Sequence, residues 1–446
     1  MAAPTTERAR PPRRGDELLL EIESLAHGGR GVARADGYVV FVSGALPGDH
    51  VRARMEKAKR AFGEARALEL VEPGANRIPD RCRHGGEPCP GAPWQGLAYE
   101  AQLEEKSRQV DDALRRIGGL DGFEREPIEP AQELWRYRNK LEYSFGMRDG
   151  ELVLGFHPRG SWAEVVDVED CHLASERNNE ARNELREWAR REGIPPEDPR
   201  GSGGVLKNLV VREGIRTGQV QTRLITAPGS IARPPVDLHT VVKGPAPADA
   251  ATGALGEERL REKLAGLRFS ISPTAFFQTN TVMAERLCAI VGEFAGLSGR
   301  ERVFDLYCGI GTIGLTLASE AAEIWGVESA PEAVADAKRN ALANRIENAR
   351  FVAADARLGV RPLLEQAGSP DVAVVDPPRA GLSKKVVRRV IECDARRIVY
   401  VSCNPTTLAP NAAQLSEAGY RLTRVRPVDM FPQTPHVECV AQLERA

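Results

Sequence analysis

Ser402-Cys403-Asn404-Pro405 follows a run of four apolar or aromatic residues, Ile398–Val401, and puts a thiol where a buried strand should end. Pro405 cannot extend a central strand and suits the first turn of a helix, so the strand is predicted to stop near Cys403. At the carboxyl end of a central strand in an open α/β sheet, a side chain meets the ligand crevice. Taken alone, such a Cys more often packs as a small hydrophobe. Its companions change that reading. Asp376-Pro377-Pro378-Arg379 ends an earlier strand, and Phe431–Glu438 carries a further carboxylate, with His436 and Glu438 expected on one side of a strand. A thiol and two carboxylates suit methylation at a carbon that is a poor nucleophile, such as pyrimidine C5. Thiolate addition at C6 turns the ring into an enolate, C5 takes the methyl group, a base removes the C5 proton, and the thiolate leaves. Cys suits this because even unperturbed a few per cent is thiolate at neutral pH. N- or O-methylation would not need the thiol.

Val303–Tyr307 runs into Gly309-Ile310-Gly311-Thr312-Ile313-Gly314, a Gly-x-Gly-x-x-Gly after a strand, and Glu328 ends the next strand at the spacing of a ribose-binding acid. Read literally, this admits a dinucleotide. A carboxylate there binds the ribose of NAD or of S-adenosylmethionine alike, and glycines let the backbone approach either. Two acids favour S-adenosylmethionine. Asp305, before the glycines, suits a cationic amino or sulfonium group and not a pyrophosphate, and Asp355 is placed to receive an adenine amino group. Strand-end capping is the plain alternative for both.

The elements that must position these groups are legible as alternation. Strand candidates Arg302–Tyr307, Glu323–Glu328, Ala349–Ala353, Val372–Val375 and Arg397–Val401 alternate with helical stretches, and Tyr420–Val428 and Val437–Leu443 follow. Four short strands are predicted upstream, Glu17–Leu25, Gly37–Val42, Val51–Lys57 and Phe62–Val71, at the spacing of a small closed barrel. Between the first pair lies a glycine loop, His27–Gly31. Arg52, Arg54, Lys57, Lys59, Arg60 and Arg66 form a local basic cluster opposed nearby only by Glu56 and Glu64, either a solvated face or an RNA-facing patch. The fold class is multi-domain α/β. A disordered basic tail (1–14) precedes an N-terminal small OB-like β-barrel (15–72). A mixed α+β central domain (73–268) and a C-terminal doubly wound Rossmann-like methyltransferase domain (269–446) follow. Within the central domain a helix is expected over about 98–117, a flexible break at 201–204 and a Pro/Ala-rich loop at 244–253.

Composition adds bounds. With 446 residues, 42% of them hydrophobic, and no run of eighteen apolar residues, the chain reads as globular, cytoplasmic and without a membrane span. Eight scattered cysteines read as reduced thiols rather than a disulfide framework. A net charge of −2 does not itself point to nucleic acid.

Residues 15–72 resemble a TRAM domain, the RNA-binding barrel appended to several RNA-modifying enzymes, through Gly29-Arg30-Gly31-Val32 and Ala45-Leu46-Pro47-Gly48-Asp49. The rest resembles the S-adenosylmethionine-dependent RNA uracil-C5 methyltransferase family, whose members often carry that barrel. The matching stretches are Phe276-Phe277-Gln278-Thr279-Asn280, Asp305-Leu306-Tyr307-Cys308-Gly309, Asp376-Pro377-Pro378-Arg379, Ser402-Cys403-Asn404-Pro405 and His436-Val437-Glu438. The resemblance implies Cys403 as nucleophile and Glu438 as the base that takes the C5 proton. It implies a donor held by Gln278, Tyr307, Thr312, Glu328, Asp355 and Asp376, with Asp376 also touching the uracil edge. Phe276 or Phe277 would stack on a base, with Arg379 on the substrate side. A base inside structured RNA must be flipped out, which costs a few kcal/mol. Many members also bind a [4Fe–4S] cluster through four cysteines. Here Ala92 stands where one ligand should be, while Cys82, Cys89 and Cys171 remain in suitable places with His84 as a candidate to complete a site; plain free thiols are expected ahead of a bound cluster. The partner implied is RNA, transfer or large-subunit ribosomal, with a slight lean to ribosomal, and a monomer is expected. The rival readings are an RNA cytosine-C5 methyltransferase, which typically carries a Pro-Cys pair where this chain has Asp376-Pro377, and a non-catalytic RNA-binding protein.

Overall fold

The computed structural model describes residues 12–84, 87–158, 161, 163–198, 203–227, 234, 240–244, 253–255 and 259–446. Most of the predicted tail, half of the 201–204 break and nearly all of the 244–253 loop lie outside the described residues. By contacts the chain forms two compact units. One comprises Met1–Arg83, Glu87–Gln109 and Phe431–His436; the other comprises His84–Gly86, Val110–Met430 and Val437–Ala446.

In the first unit six strands form one sheet: Glu17–Glu21, Ser24–Leu25, Gly31–Ala35, Tyr38–Ser43, His50–Ala58 and Phe62–Glu72. Along the sheet they run first, fifth, sixth, fourth, third, second. The two edge strands are consecutive in the chain, so the sheet curls until its edges meet, where the Ile22 N–H donates to the Asp49 carbonyl (2.9 Å) and the Glu23 N–H to that of Val32 (2.8 Å). Val51, Ala53 and Met55 point into the core while Arg52, Arg54 and Glu56 face water, the period-two pattern of a half-buried strand. Asp49 is fully buried. It accepts from the N–H groups of Leu46 (2.7 Å) and Gly74 (3.1 Å) and pairs with Arg77 at 2.9 and 2.8 Å. Burial alone would raise its pKa, but those four donors hold it below the usual carboxylate value. The basic cluster is better neutralised than its local sequence suggests. Arg52 pairs with Glu17 (3.0 Å) and Glu69 (2.6 Å), Arg54 with Glu17 (2.7 Å), Lys57 with Glu64 (3.3 Å) and Arg66 with Glu56 (3.0 Å). Glu17 and Glu69 come from the strands on either side, which a reading along one stretch cannot see.

In the second unit, a seven-stranded sheet runs Val166–Asp167, Glu151–Phe156, Lys140–Arg148, Leu206–Gly214, Gln219–Thr226, Thr240–Gly244, Gly253–Leu255. Helix Glu176–Arg191, capped by Ser175, packs against it through Leu185 and Trp188. The second sheet of this unit carries the strands that matter for chemistry: β1 (Arg302–Leu306), β2 (Glu323–Glu328), β3 (Ala349–Ala353), β4 (Val372–Val375), β5 (Arg397–Ser402), β6 (Tyr420–Val428) and β7 (Glu438–Arg445). Their order is β3-β2-β1-β4-β5-β7-β6, with the short strand Glu124–Arg125 beyond β6. The first five are parallel, as crossover helices between successive strands require, and β7 enters antiparallel to β5. β4 is buried along its whole length, which is why it reads as an unbroken apolar run. Among the described residues no helix is long and apolar enough to cross a membrane.

Candidate active site

The thiol sits where predicted. β5 stops at Ser402, and helix Pro405–Glu417 begins with Asn404 as its N-cap and Pro405 in its first turn. The Ser402 hydroxyl donates to the Asn404 carbonyl (3.0 Å) and accepts from the Asn404 N–H (3.1 Å), closing a tight turn with Cys403 at its tip. The Asn404 side chain accepts from the Thr406 N–H (3.1 Å), while its amide donates to the Arg379 carbonyl (3.2 Å). One asparagine therefore caps the helix and ties the Cys403 turn to the Asp376–Arg379 loop.

The antiparallel entry of β7 brings in the second group. Ser402 pairs with Cys439, so the register continued by one residue sets Cys403 opposite Glu438 at the same end of the sheet. Asp376 follows β4 directly, its N–H donating to the Leu306 carbonyl (3.3 Å), which aligns it with the tip of β1. His436 lies outside the strand that carries Glu438 and belongs to the first unit. Seven of the eight cysteines are buried; Cys403 is half-buried.

Electrostatics tie these groups together. Burial pushes Asp305 up to about 7 against the pull of the Gly314 N–H. Burial and the neighbouring Asp305 push Asp376 up to about 7 as well. Glu438, only 4% exposed, is raised well above its ordinary value by burial and by Asp376, with Arg379 pulling the other way. The Cys403 thiol is pushed up to about 11 by burial, Glu438 and Asp376, with Arg379 opposing. The expectation of a few per cent thiolate is thus corrected: in the free protein this thiol is protonated at neutral pH. Of these three carboxyls Arg379 offsets Glu438 alone, so the site is short of positive charge.

A cleft of about 240 Å³ is lined among others by Tyr307, Val327, Glu328, Ala354, Asp355 and Val386; Cys403, Asp376, Glu438, Asp305, Gln278 and Thr312 are not part of its lining. Glu328 is held by the N–H groups of Gly309 (3.2 Å) and Ala330 (2.9 Å), so the glycine loop orients the acid at the end of β2. Gly311 lies in the left-handed region (φ 84°) and opens the helix at half-buried Thr312; a side chain there would meet Leu315 and Phe351. Asp355 caps the helix Ala356–Ala367 by accepting from the Arg357 N–H (2.8 Å), and it also lines the cleft. Gln278 is half-buried, and its carbonyl accepts from Asn139 (2.9 Å). Phe276 is 66% exposed, whereas Phe277 is buried against Phe269 with ring centroids 6.2 Å apart. Arg379 is exposed. Sequence reasoning passed over the cleft wall Gly381–Val386. It is held by Asn411, which accepts from the Leu382 N–H (2.8 Å) and the Tyr400 hydroxyl (3.0 Å). A polar residue on the buried face of helix Pro405–Glu417 was the available signal.

The arrangement fits S-adenosylmethionine. The cleft has apolar walls for an adenine and acids for ribose hydroxyls and an exocyclic amine. Among the described residues the buried Asp305 Oδ1 has no hydrogen-bond partner while Oδ2 accepts from Gly314 (2.9 Å), which leaves one carboxylate oxygen for a cationic donor group. Because a cation pairs with the ionised acid, donor affinity is expected to rise with pH up to about pH 7, by roughly tenfold per unit for one released proton, and to level off above. Titration calorimetry from pH 5.5 to 8.5 measures this, and Asp305→Asn should flatten it. The same raised values mean that Asp305 and Asp376 contribute stability that is fully present below the ordinary carboxylate range and is lost as pH rises through 7.

Cys82, His84 and Cys89 bring their ligand atoms within 4.8 Å of one another, but they do not supply the four thiolates of a [4Fe–4S] cluster. Cys82 and Cys89 are buried, with the Cys89 N–H donating to the Cys82 carbonyl (3.3 Å) and Gln95 clamping both backbone groups of Cys82 at 2.7 Å. The position expected for a third ligand is the buried methyl of Ala92, and Cys171 is buried with its N–H bound by Asn179 (2.8 Å). Such a cluster takes four thiolates.

A sheet of this order, with a glycine-loop cleft and acids at its carboxyl tips, defines a Rossmann-like S-adenosylmethionine-dependent methyltransferase. Residues 256–446 match the tRNA (Uracil-5-)-methyltransferase family, and residues 11–68 match the TRAM domain. An RNA methyltransferase of Halalkalibacterium halodurans is 36% identical over 451 residues, covering 97% of this chain and 98% of the relative. One of Nitratidesulfovibrio vulgaris is 38% identical, covering 96% of each. The crystal structure of the Pyrococcus abyssi tRNA (uracil-54, C5)-methyltransferase, solved with S-adenosyl-L-homocysteine, aligns at a TM-score of 0.78 and 30% identity over 95% of this chain and 99% of that one. The chain belongs to the RNA (uracil-5-)-methyltransferase family and is an S-adenosylmethionine-dependent RNA methyltransferase.

Proposed function

We propose that the protein methylates C5 of a uridine in structured RNA, transfer or ribosomal, through a covalent bond between Cys403 and C6 of the uracil. The observation that carries this reading is the β5–β7 register, which sets a thiol opposite a buried carboxylate at the same end of the sheet as the cleft-lining acids Glu328 and Asp355. A methyl transfer to nitrogen or oxygen has no use for either group.

Tyr307, Glu328 and Asp355 would hold the adenosine half of the donor, and Gln278, Thr312, Asp305 and Asp376 the half that carries the cationic groups. When bound, the donor supplies an electrophilic methyl group. Asp376, once its neighbourhood is neutralised, is free to meet the uracil edge, and exposed Phe276 offers a stacking face to a flipped base. Cys403, its proton lost to solvent water as the site is neutralised, adds as thiolate to C6; the C5=C6 electrons move into the C4 carbonyl, and C5 then takes the methyl group. Glu438 accepts the C5 proton, the double bond re-forms, and Cys403 leaves as thiolate. The raised pKa values suit both roles. A thiol pushed up by Glu438 and Asp376 is released when those charges are offset, and a buried carboxylate is a stronger base than one in water. The test is the product nucleoside: label from the donor's methyl group is expected in 5-methyluridine.

A further inference from the structure

The central sheet of the second unit carries a group of cations with no stated task. Lys140, on strand Lys140–Arg148, lies opposite Arg212, and Arg212 opposite Gln221 on the next strand. Arg223 is two residues beyond Gln221, so Lys140, Arg212 and Arg223 share one face of the sheet. Arg212 is 4% exposed and Arg223 is 7% exposed, and Lys140 is half-buried. Arg212 donates to the carbonyls of Ser272 (3.3 Å) and Ala275 (2.5 Å). Arg223 differs: its Nε and one terminal nitrogen are buried and have no hydrogen-bond partner among the described residues. Glu142, exposed on the Lys140 strand, is the carboxylate that raises the Lys140 pKa; burial, Arg212 and Arg223 lower it, to about 8 overall. Burial and Arg223 bring Arg212 down to about 10. Three clustered cations, two of them shielded from water, repel one another and forfeit hydration; proteins keep such groups where an anion completes them.

The location indicates which anion. Arg212 grips the Ser272–Ala275 loop, immediately before Phe276 and Gln278. Asn139, next to Lys140, donates to the carbonyls of Thr279 (2.8 Å) and Gln278 (2.9 Å) and to the Thr281 hydroxyl (2.9 Å). The cations are thus tied, through backbone, to the segment that presents Phe276 toward substrate.

We infer that Lys140, Arg212 and Arg223 form a seat for a phosphodiester of the substrate RNA, on the strand flanking the target nucleotide. This rests on the RNA uridine reading. A planar guanidinium with two unused donors on one edge matches two phosphate oxygens, and Lys140 adds a point charge. The seat carries no base information; it fixes where the strand lies while the flipped base is held elsewhere.

The test is Arg223→Met, close in volume and uncharged, beside Arg223→Lys. In the full-length protein Arg223→Met is expected to raise the KM for RNA about tenfold and reduce its dependence on log salt by about one, leaving kcat at saturation and S-adenosylhomocysteine affinity unchanged. It is also expected to raise the thermal midpoint of the free protein by a few degrees, because a buried uncompensated charge is gone. Arg223→Lys should recover most of the KM. A lower midpoint with unchanged KM and salt dependence would make Arg223 a structural cation and overturn the inference. The same variants titrated with a short oligoadenylate, which has phosphodiesters and no uracil, read the seat without any methyl transfer. Weaker binding by Arg223→Met supports it even if no uridine is methylated, and equal binding by both proteins overturns it.

Discussion

Replacing Cys403 by alanine is expected to stop methyl transfer to RNA, lowering turnover by at least on the order of 10⁴-fold, while S-adenosylhomocysteine binds within about twofold of wild type. The donor cleft is lined by residues from the tips of β1, β2 and β3 and the Gly381–Val386 wall, none of which depends on the thiol. Uracil C5 has no appreciable nucleophilicity until C6 is saturated, so losing the thiolate removes the reaction path and not merely a favourable contact. Folding should tolerate the change, because Cys403 is half-buried at a turn held by Ser402 and Asn404. Single-turnover transfer measured beside calorimetry of donor binding separates the two effects. Turnover within tenfold of wild type would end the covalent mechanism.

Glu438→Gln is expected to act one step later and leave a different mark. The amide keeps the shape of the side chain but cannot accept the C5 proton, so addition and methylation proceed while release of the thiolate stalls. Turnover should fall by about 10³-fold, and a protein–RNA species that survives denaturation should accumulate. The sign of the electrostatics favours accumulation. After burial, Glu438 is the largest cause of the raised Cys403 pKa, so removing its charge eases formation of the thiolate. A denaturing gel reads the adduct directly, and peptide mass spectrometry should locate the cross-link at Cys403. Lost turnover without an adduct would remove Glu438 from the base role.

The catalytic sheet was legible because its strands are buried on both faces. Val372–Val375 is recovered at its predicted ends, and the strand leading to Cys403 runs only one residue longer than expected. Pro405 marked that boundary through a covalent constraint, which does not depend on context. Gly31–Ala35 was missed because it opens on a glycine that reads as loop, and Glu17–Leu25 proved to be two strands with a break at Ile22–Glu23. His436 was expected on the strand of Glu438, but Phe431–His436 belongs to the first unit, where the Trp94 N–H donates to the Gln433 carbonyl (3.0 Å). Nothing local announces a contact across more than three hundred positions. The thiol and the acids were visible as residue types at strand tips, yet the direction of their pKa shifts was not, because burial is a property of the assembled sheet. Lys140 stands out in the sequence only as the end of an aromatic and basic segment, 135–140, and its grouping with Arg212 and Arg223 depends on strand pairing that no single stretch shows.

The most direct measurement is transfer of labelled methyl from S-adenosylmethionine into total RNA of a strain lacking the protein, with the RNA size-separated, digested and its nucleosides identified. The label is predicted in 5-methyluridine within one RNA class, which would also name the substrate. Label in 5-methylcytidine, or donor binding without any transfer to RNA, would contradict the proposal.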